Sequence, residues 1–115
     1  MRERLEQAHL YRVNGDYERA GVCYAEVLAG CPTSAEACWG MGHTLMNQGD
    51  FDGCSEYFRR SVDVEPENTT FLHHLAMFLT MIGEYDEARF LFARVVEIGD
   101  NPELLGEARK QLSYL

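Results

Sequence analysis

No run of residues in this sequence is long and apolar enough to span a bilayer. The most apolar stretch, Phe71 to Ile82, is interrupted by His73, His74 and Thr80, and a spanning helix needs about 20 apolar residues. Behind Met1-Arg2-Glu3-Arg4 there is no apolar run either, so no secretory leader is read here and a cytoplasmic location is expected, with no membrane partner. Bases are scarce: 10 against 19 acids, for a formal net charge of −9. No basic patch exists to collect phosphates, which excludes nucleic acid as a partner. The excess acid falls unevenly, about −1 over residues 1–34, about −5 over 35–68 and about −3 over 69–102. It keeps the protein soluble, or steers a basic partner toward the middle segment.

Chemistry is missing as well. Cys23, Cys31, Cys38 and Cys54 contain no C-x-x-C pair, against a zinc knuckle or a thioredoxin-like site, and free thiols are expected. There is no glycine-rich phosphate loop, no G-x-S-x-G and no H-E-x-x-H. No catalytic residue, cofactor or metal is assigned, and the chain is expected not to be an enzyme.

What the chain does have is a phrase said three times. Gly15-Asp16-Tyr17, Gly49-Asp50-Phe51 and Gly83-Glu84-Tyr85 each read glycine, acid, aromatic, at intervals of 34 residues. Other columns keep that register: Ala8, Gly42 and Ala76; Tyr11, Leu45 and Leu79; Ala20, Cys54 and Ala88; Tyr24, Phe58 and Phe92. Pro32 and Pro66 close the first two units. The glycine ends one helix in the left-handed conformation, the acid caps the next, and the aromatic packs across the corner.

Each unit therefore predicts two helices. Thr33 and Glu36 have the spacing of a capping box ahead of the third helix. Gly40 lies inside that helix with no packing column to explain it: it leaves room for a partner, or is a weak spot of about 1 kcal/mol. The fifth helix, Phe71 to Ile82, is apolar on nearly every side and must be covered by the protein or by a partner. Asn101-Pro102-Glu103 opens a seventh helix with Leu104, Leu105, Ala108, Leu112 and Leu115 on one stripe. The first unit has no such helix ahead of it; its polar face or an upstream segment would serve.

These columns resemble the tetratricopeptide repeats, whose 34-residue unit is a helix–turn–helix. The resemblance covers residues 1 to about 102. It departs from the family pattern at Arg4 and Cys38, where a large aromatic is usual, and at Asp100, which replaces the third proline. It implies an all-α, right-handed α-solenoid: one domain over 1–115, with repeats 1–34, 35–68 and 69–102 and a capping helix over about 102–115.

The resemblance also implies a concave groove lined by the first helix of each pair. Its matching columns hold Leu5, His9, Arg12 and Val13; Trp39, Gly40, His43, Met46 and Asn47; and His73, His74, Met77, Thr80 and Met81. The lysine, asparagine and arginine clamp with which some members grip heat-shock chaperone tails is absent, since those columns hold Leu5, His9, Gly40, Thr70 and His74. The expected function is a non-catalytic scaffold that binds a partner's peptide or helix, one with an apolar segment, because methionine adapts to irregular apolar surfaces. Alternatives are a small chaperone that shields an apolar client segment before secretion or assembly, and a self-associating homo-oligomeric scaffold. Metal binding rests only on the four histidines, and His73 and His74 diverge by about 100° on a helix.

Overall fold

The computed structural model describes all residues, 1–115, and contains seven α-helices and no strand. In order they are α1 (Arg2–Val13), α2 (Tyr17–Gly30), α3 (Ala35–Asn47), α4 (Phe51–Val64), α5 (Thr69–Met81), α6 (Tyr85–Ile98) and α7 (Pro102–Tyr114). They pair as three hairpins followed by a single helix.

The repeated phrase forms the same corner each time. Gly15, Gly49 and Gly83 have φ of 82°, 83° and 87°, a conformation that costs a residue with a Cβ about 1–2 kcal/mol. At the first corner the Asp16 N–H donates to Tyr11 O at 2.9 Å and the Gly15 N–H to Arg12 O at 3.1 Å. These two bonds satisfy carbonyls that the helix end would otherwise leave open. The same pair recurs after α3 and α5. Asp16 and Asp50 then accept the Arg19 and Gly53 amides at 3.2 and 2.9 Å, whereas Glu84 makes no side-chain cap bond. The aromatic closes the corner less fully than expected: Phe51 and Tyr85 remain 47% and 52% exposed.

Packing gathers the chain into two compact units, Met1–Val64 and Glu65–Leu115. α4 ends before Glu65-Pro66, where proline has no N–H with which to continue the helix. In the first unit Leu5, Ala8, Ala20, Tyr24, Val27, Cys38 and Met41 belong to one buried cluster. Two aromatic rings, Tyr24 within this cluster and Phe58 outside it, set the helix spacing of the unit. Phe58 lies so close over Gly42 that an added Cβ would sit 2.5 Å from its Cδ1. Tyr24 lies over Gly40 with 2.5 Å to its Cε1, its Cζ and Oη nearer still. The space that Gly40 leaves is thus filled by Tyr24 and not held open for a partner.

The cap of α3 also differs from the expectation. Ser34, not Thr33, accepts the Ala37 amide at 3.2 Å, and Glu36 turns away from the cap.

In the second unit α5 and α6 close on Leu72, Leu75, Ala76, Phe78, Leu79, Ala88, Leu91, Phe92 and Val95, all buried. Thr69 Oγ1 donates to Asp100 Oδ1 at 2.8 Å, so the residue standing in the proline column ties the start of α5 to the end of α6. Asn101 caps α7 by accepting the Glu103 and Leu104 amides. Only Ala108 of the α7 stripe is fully buried; Leu104, Leu105, Leu112 and Leu115 are half-covered.

Candidate functional site

In the first unit, α1 and α3 carry a connected set of polar and aromatic side chains. Glu36 accepts Arg2 Nη1 at 2.8 Å and meets His9 Nε2 at 3.0 Å. A carboxylate only accepts, so Nε2 carries the imidazole proton. His9 Nδ1 then accepts from the Tyr24 hydroxyl, which itself accepts the Arg12 Nε–H at 3.0 Å. The result is one directional chain: Arg12 to Tyr24 to His9 to Glu36, with Arg2 closing the far end.

The titrations follow from this arrangement. Burial, Arg12 and Arg2 hold the His9 imidazole below its ordinary value, against the pull of Glu36. Burial raises the Tyr24 phenol, opposed by the bond from Arg12. Burial would raise Glu36 too, but the bonds from Arg2 and His9 outweigh it and its carboxyl is lowered.

Rings extend the set. The Arg12 guanidinium carbon lies 5.0 Å from the Trp39 ring centroid, close enough for cation–π attraction. Trp39 meets His9 and His43 edge-on at 6.0 and 4.9 Å, and His43 meets Phe58 at 5.0 Å. Met46 is half-covered and Asn47 exposed, with Asn47 Nδ2 donating back to His43 O at 2.8 Å. Val13 is 71% exposed. Leu5 is not on this face: it is buried in the core beside Val27. Gly40 is likewise buried, under Tyr24.

The second unit presents a different face. His74 is half-buried, and Met77 and Met81 are 39% and 55% exposed along the same side of α5. Thr80 donates its hydroxyl to Ala76 O at 2.9 Å. His73 is buried, edge-on to Phe92 at 5.7 Å; burial lowers its imidazole pKa against a weaker opposing pull from Glu107. His73 is therefore interior packing.

Charge is sorted between helices. Among residues 35–68 only Glu36 stands as an acid on α3; Asp52, Glu56 and Asp63 lie on α4, and Asp50, Glu65 and Glu67 in the turns. No charged residue occurs on α5. The groups on α3 and α5 are thus mainly apolar, aromatic or internally paired, whereas α1 carries Arg2, Glu3, Arg4, Glu6 and Arg12. No three His, Cys, Asp or Glu side chains gather as a metal-binding group. All four cysteines are free, with Cys31 alone exposed, and burial pushes the Cys54 thiol up to about 12. No helix is long and apolar enough to cross a membrane.

Sequence reasoning missed Arg2, Tyr24 and Glu36 as members of this site. A signal was available: Arg2 and Glu36 are opposite charges one repeat apart, in the same column of neighbouring first helices.

Two family models, each described as a tetratricopeptide repeat, match residues 35–68 and 69–99. The type III secretion translocator chaperone SycD of Yersinia enterocolitica is similar in structure, with a TM-score of 0.89 at 19% identity over 98% of this chain and 81% of that one. SycD in complex with a peptide of the translocator YopD also gives 0.89 at 19% identity, over 98% and 89%. The first such repeat domain of Spaghetti (RPAP3), bound to the HSP90 peptide SRMEEVD, gives 0.80 at 19% identity, over 93% and 86%. At these identities the likeness is one of fold. No curated protein sequence matches the chain.

Proposed function

Because the chain belongs to the tetratricopeptide repeat family, we propose that it is a non-catalytic protein–protein interaction scaffold that holds a peptide or helix of a partner on its first helices. The observation that carries this reading is the sorting of side chains. The acids crowd the turns and return helices, while α3 offers Trp39, His43 and Met46 and α5 offers His74, Met77 and Met81 without a single charge. Each of these two faces suits an apolar segment, the methionines adapting to its shape. His9, Arg12 and Asn47 supply polar contacts beside it. Solved structures of similar fold hold peptides, which supports the same use here.

A second reading is favoured by one comparison. The likeness to a secretion chaperone extends over 98% of the chain, and Met77, Met81 and Ile82 leave an apolar strip of α5 open. Under this reading the partner is an aggregation-prone client whose apolar segment is shielded before secretion or assembly.

The test is a pull-down with the native chain and with Trp39→Ala plus Met77→Ala, both checked for native helicity by circular dichroism. Loss of specific partners from the variant is expected; an unchanged set removes the reading. Light scattering across concentrations separates self-association, which would show as a mass rising above that of one chain. The chaperone reading adds that a recovered client precipitates alone and stays in solution with the protein.

A further inference from the structure

Arginine presents five N–H donors in a planar fork that matches a carboxylate. Most arginines of this chain spend theirs on the chain's own acids: Arg2 on Glu6 and Glu36, Arg4 on Glu26, Arg19 on Asp16, Arg89 on Asp86, and Arg94 on Glu67 and Glu97. Arg12 makes no ion pair. Its Nε is committed to Tyr24 at 3.0 Å, its plane rests against Trp39 at 5.0 Å, and the nearby acid, Glu36, is engaged by Arg2 and His9. The two terminal nitrogens are therefore held in place with no carboxylate to meet. Overall charge does not forbid an anion here, because α1 and α3 together balance Arg2, Arg4 and Arg12 against Glu3, Glu6 and Glu36.

The neighbours of Arg12 are apolar. Val13, 71% exposed, follows it on α1; Trp39 lies against it, and Met46 stands two turns along α3 from Trp39. Building on the scaffold reading above, we propose that this face recognises an aspartate or glutamate side chain within an otherwise apolar partner segment, its carboxylate seated on the terminal nitrogens of Arg12. Bidentate pairing of this kind fixes the orientation of a segment as well as adding affinity. The apolar residues before and after the acid then lie on Val13 and on the Trp39–Met46 side. Trp39 and Tyr24 preorganise the guanidinium, so little side-chain freedom is lost on binding.

The probe is a random dodecapeptide library displayed with both ends fused, so that no free carboxyl terminus is offered, selected on the full chain. Selected sequences are synthesised with capped ends and titrated while fluorescence from Trp39, the one tryptophan, is followed. Enrichment of an acid flanked by Leu, Met or Phe is expected. Exchanging that acid for its amide should weaken binding about tenfold or more to the native chain but less than twofold to Arg12→Gln. Arg12→Lys, which keeps the charge and loses the fork, should fall between the two. Peptides that change Trp39 fluorescence with no need for an acid, or that bind Arg12→Gln equally, overturn the proposal and leave the scaffold reading standing. If no peptide from the library changes Trp39 fluorescence, the scaffold reading fails at this face and the proposal fails with it.

Discussion

Replacing Gly40 by alanine tests the packing of the first unit directly. In a helix interior this change ordinarily stabilises by about 1 kcal/mol, because glycine loses more backbone freedom than alanine on folding. Here the new methyl would sit 2.5 Å from Tyr24 Cε1. Tyr24 is 0% exposed and is held through its hydroxyl by Arg12 and His9, so its ring has nowhere to retreat without breaking those bonds. Overpacking costs about 1–3 kcal/mol, and a disrupted hydrogen bond adds about 1 kcal/mol. After the propensity gain, a net loss of about 1–3 kcal/mol is expected. Urea unfolding followed by Trp39 fluorescence reads the first unit, and circular dichroism reads the whole chain. The two-residue cycle with Tyr24→Leu, which removes the obstructing ring, should recover at least about 1 kcal/mol of coupling. A Gly40→Ala midpoint equal to or above that of the native chain would refute the reasoning.

Further outcomes follow from the same geometry. Gly83→Ala should cost about 1–2 kcal/mol through its left-handed φ alone, since nothing lies within 4 Å of the added carbon. Gly106→Ala, also unobstructed but within α7, should instead stabilise by about 0.5–1 kcal/mol; thermal melts of the two variants should shift in opposite directions. On acidification, His9 and His73 both have folded pKa values below the ordinary 6.5, so the unfolded chain takes up protons first. Stability should therefore fall as the pH drops below about 6.5 toward the folded values. A second loss should follow below about 4.5 as Glu36, lowered from that value in the folded chain, is protonated. Urea midpoints from pH 7 down to about 3 check both, and His73→Leu should flatten the first window. A thiol reagent should modify Cys31 in the folded protein and reach Cys23, Cys38 and Cys54 only on unfolding.

The helices and their glycine corners were legible because they depend on local signals: a glycine that must turn left-handed and, at Asp16 and Asp50, an acid short enough to cap the next helix, which the longer Glu84 does not do. The Asp100 substitution was legible as a departure, though not as the tie to Thr69 that it makes. The binding face was only half legible. Helical spacing places Leu5 and His9 on neighbouring sides of α1, but which side is covered depends on Val27, Tyr24 and Glu36, contributed by other helices. Leu5 and His73 were therefore assigned to the surface although both are buried. Gly40 was unreadable for the same reason: the ring that requires it sits 16 residues earlier, on α2. Glu36 was misread because its spacing from Thr33 suits a cap, while two donors on α1, the Arg2 guanidinium and the His9 Nε2–H, engage it instead.

The hydrogen-bond chain across α1, α2 and α3 has a consequence for how such a sequence can diverge. Arg12 and Glu36 do not bond to each other, yet the direction of every bond between them is set by both ends. Replacing Glu36 by a residue that only donates would reverse the His9 tautomer, turn the Tyr24 hydroxyl and leave the Arg12 Nε–H facing a donor. Positions 2, 9, 12, 24 and 36 therefore form an epistatic block: a substitution tolerated in one background becomes damaging in another. Drift through this unit should proceed by concerted replacements, while the outer faces of α2 and α4 change one residue at a time.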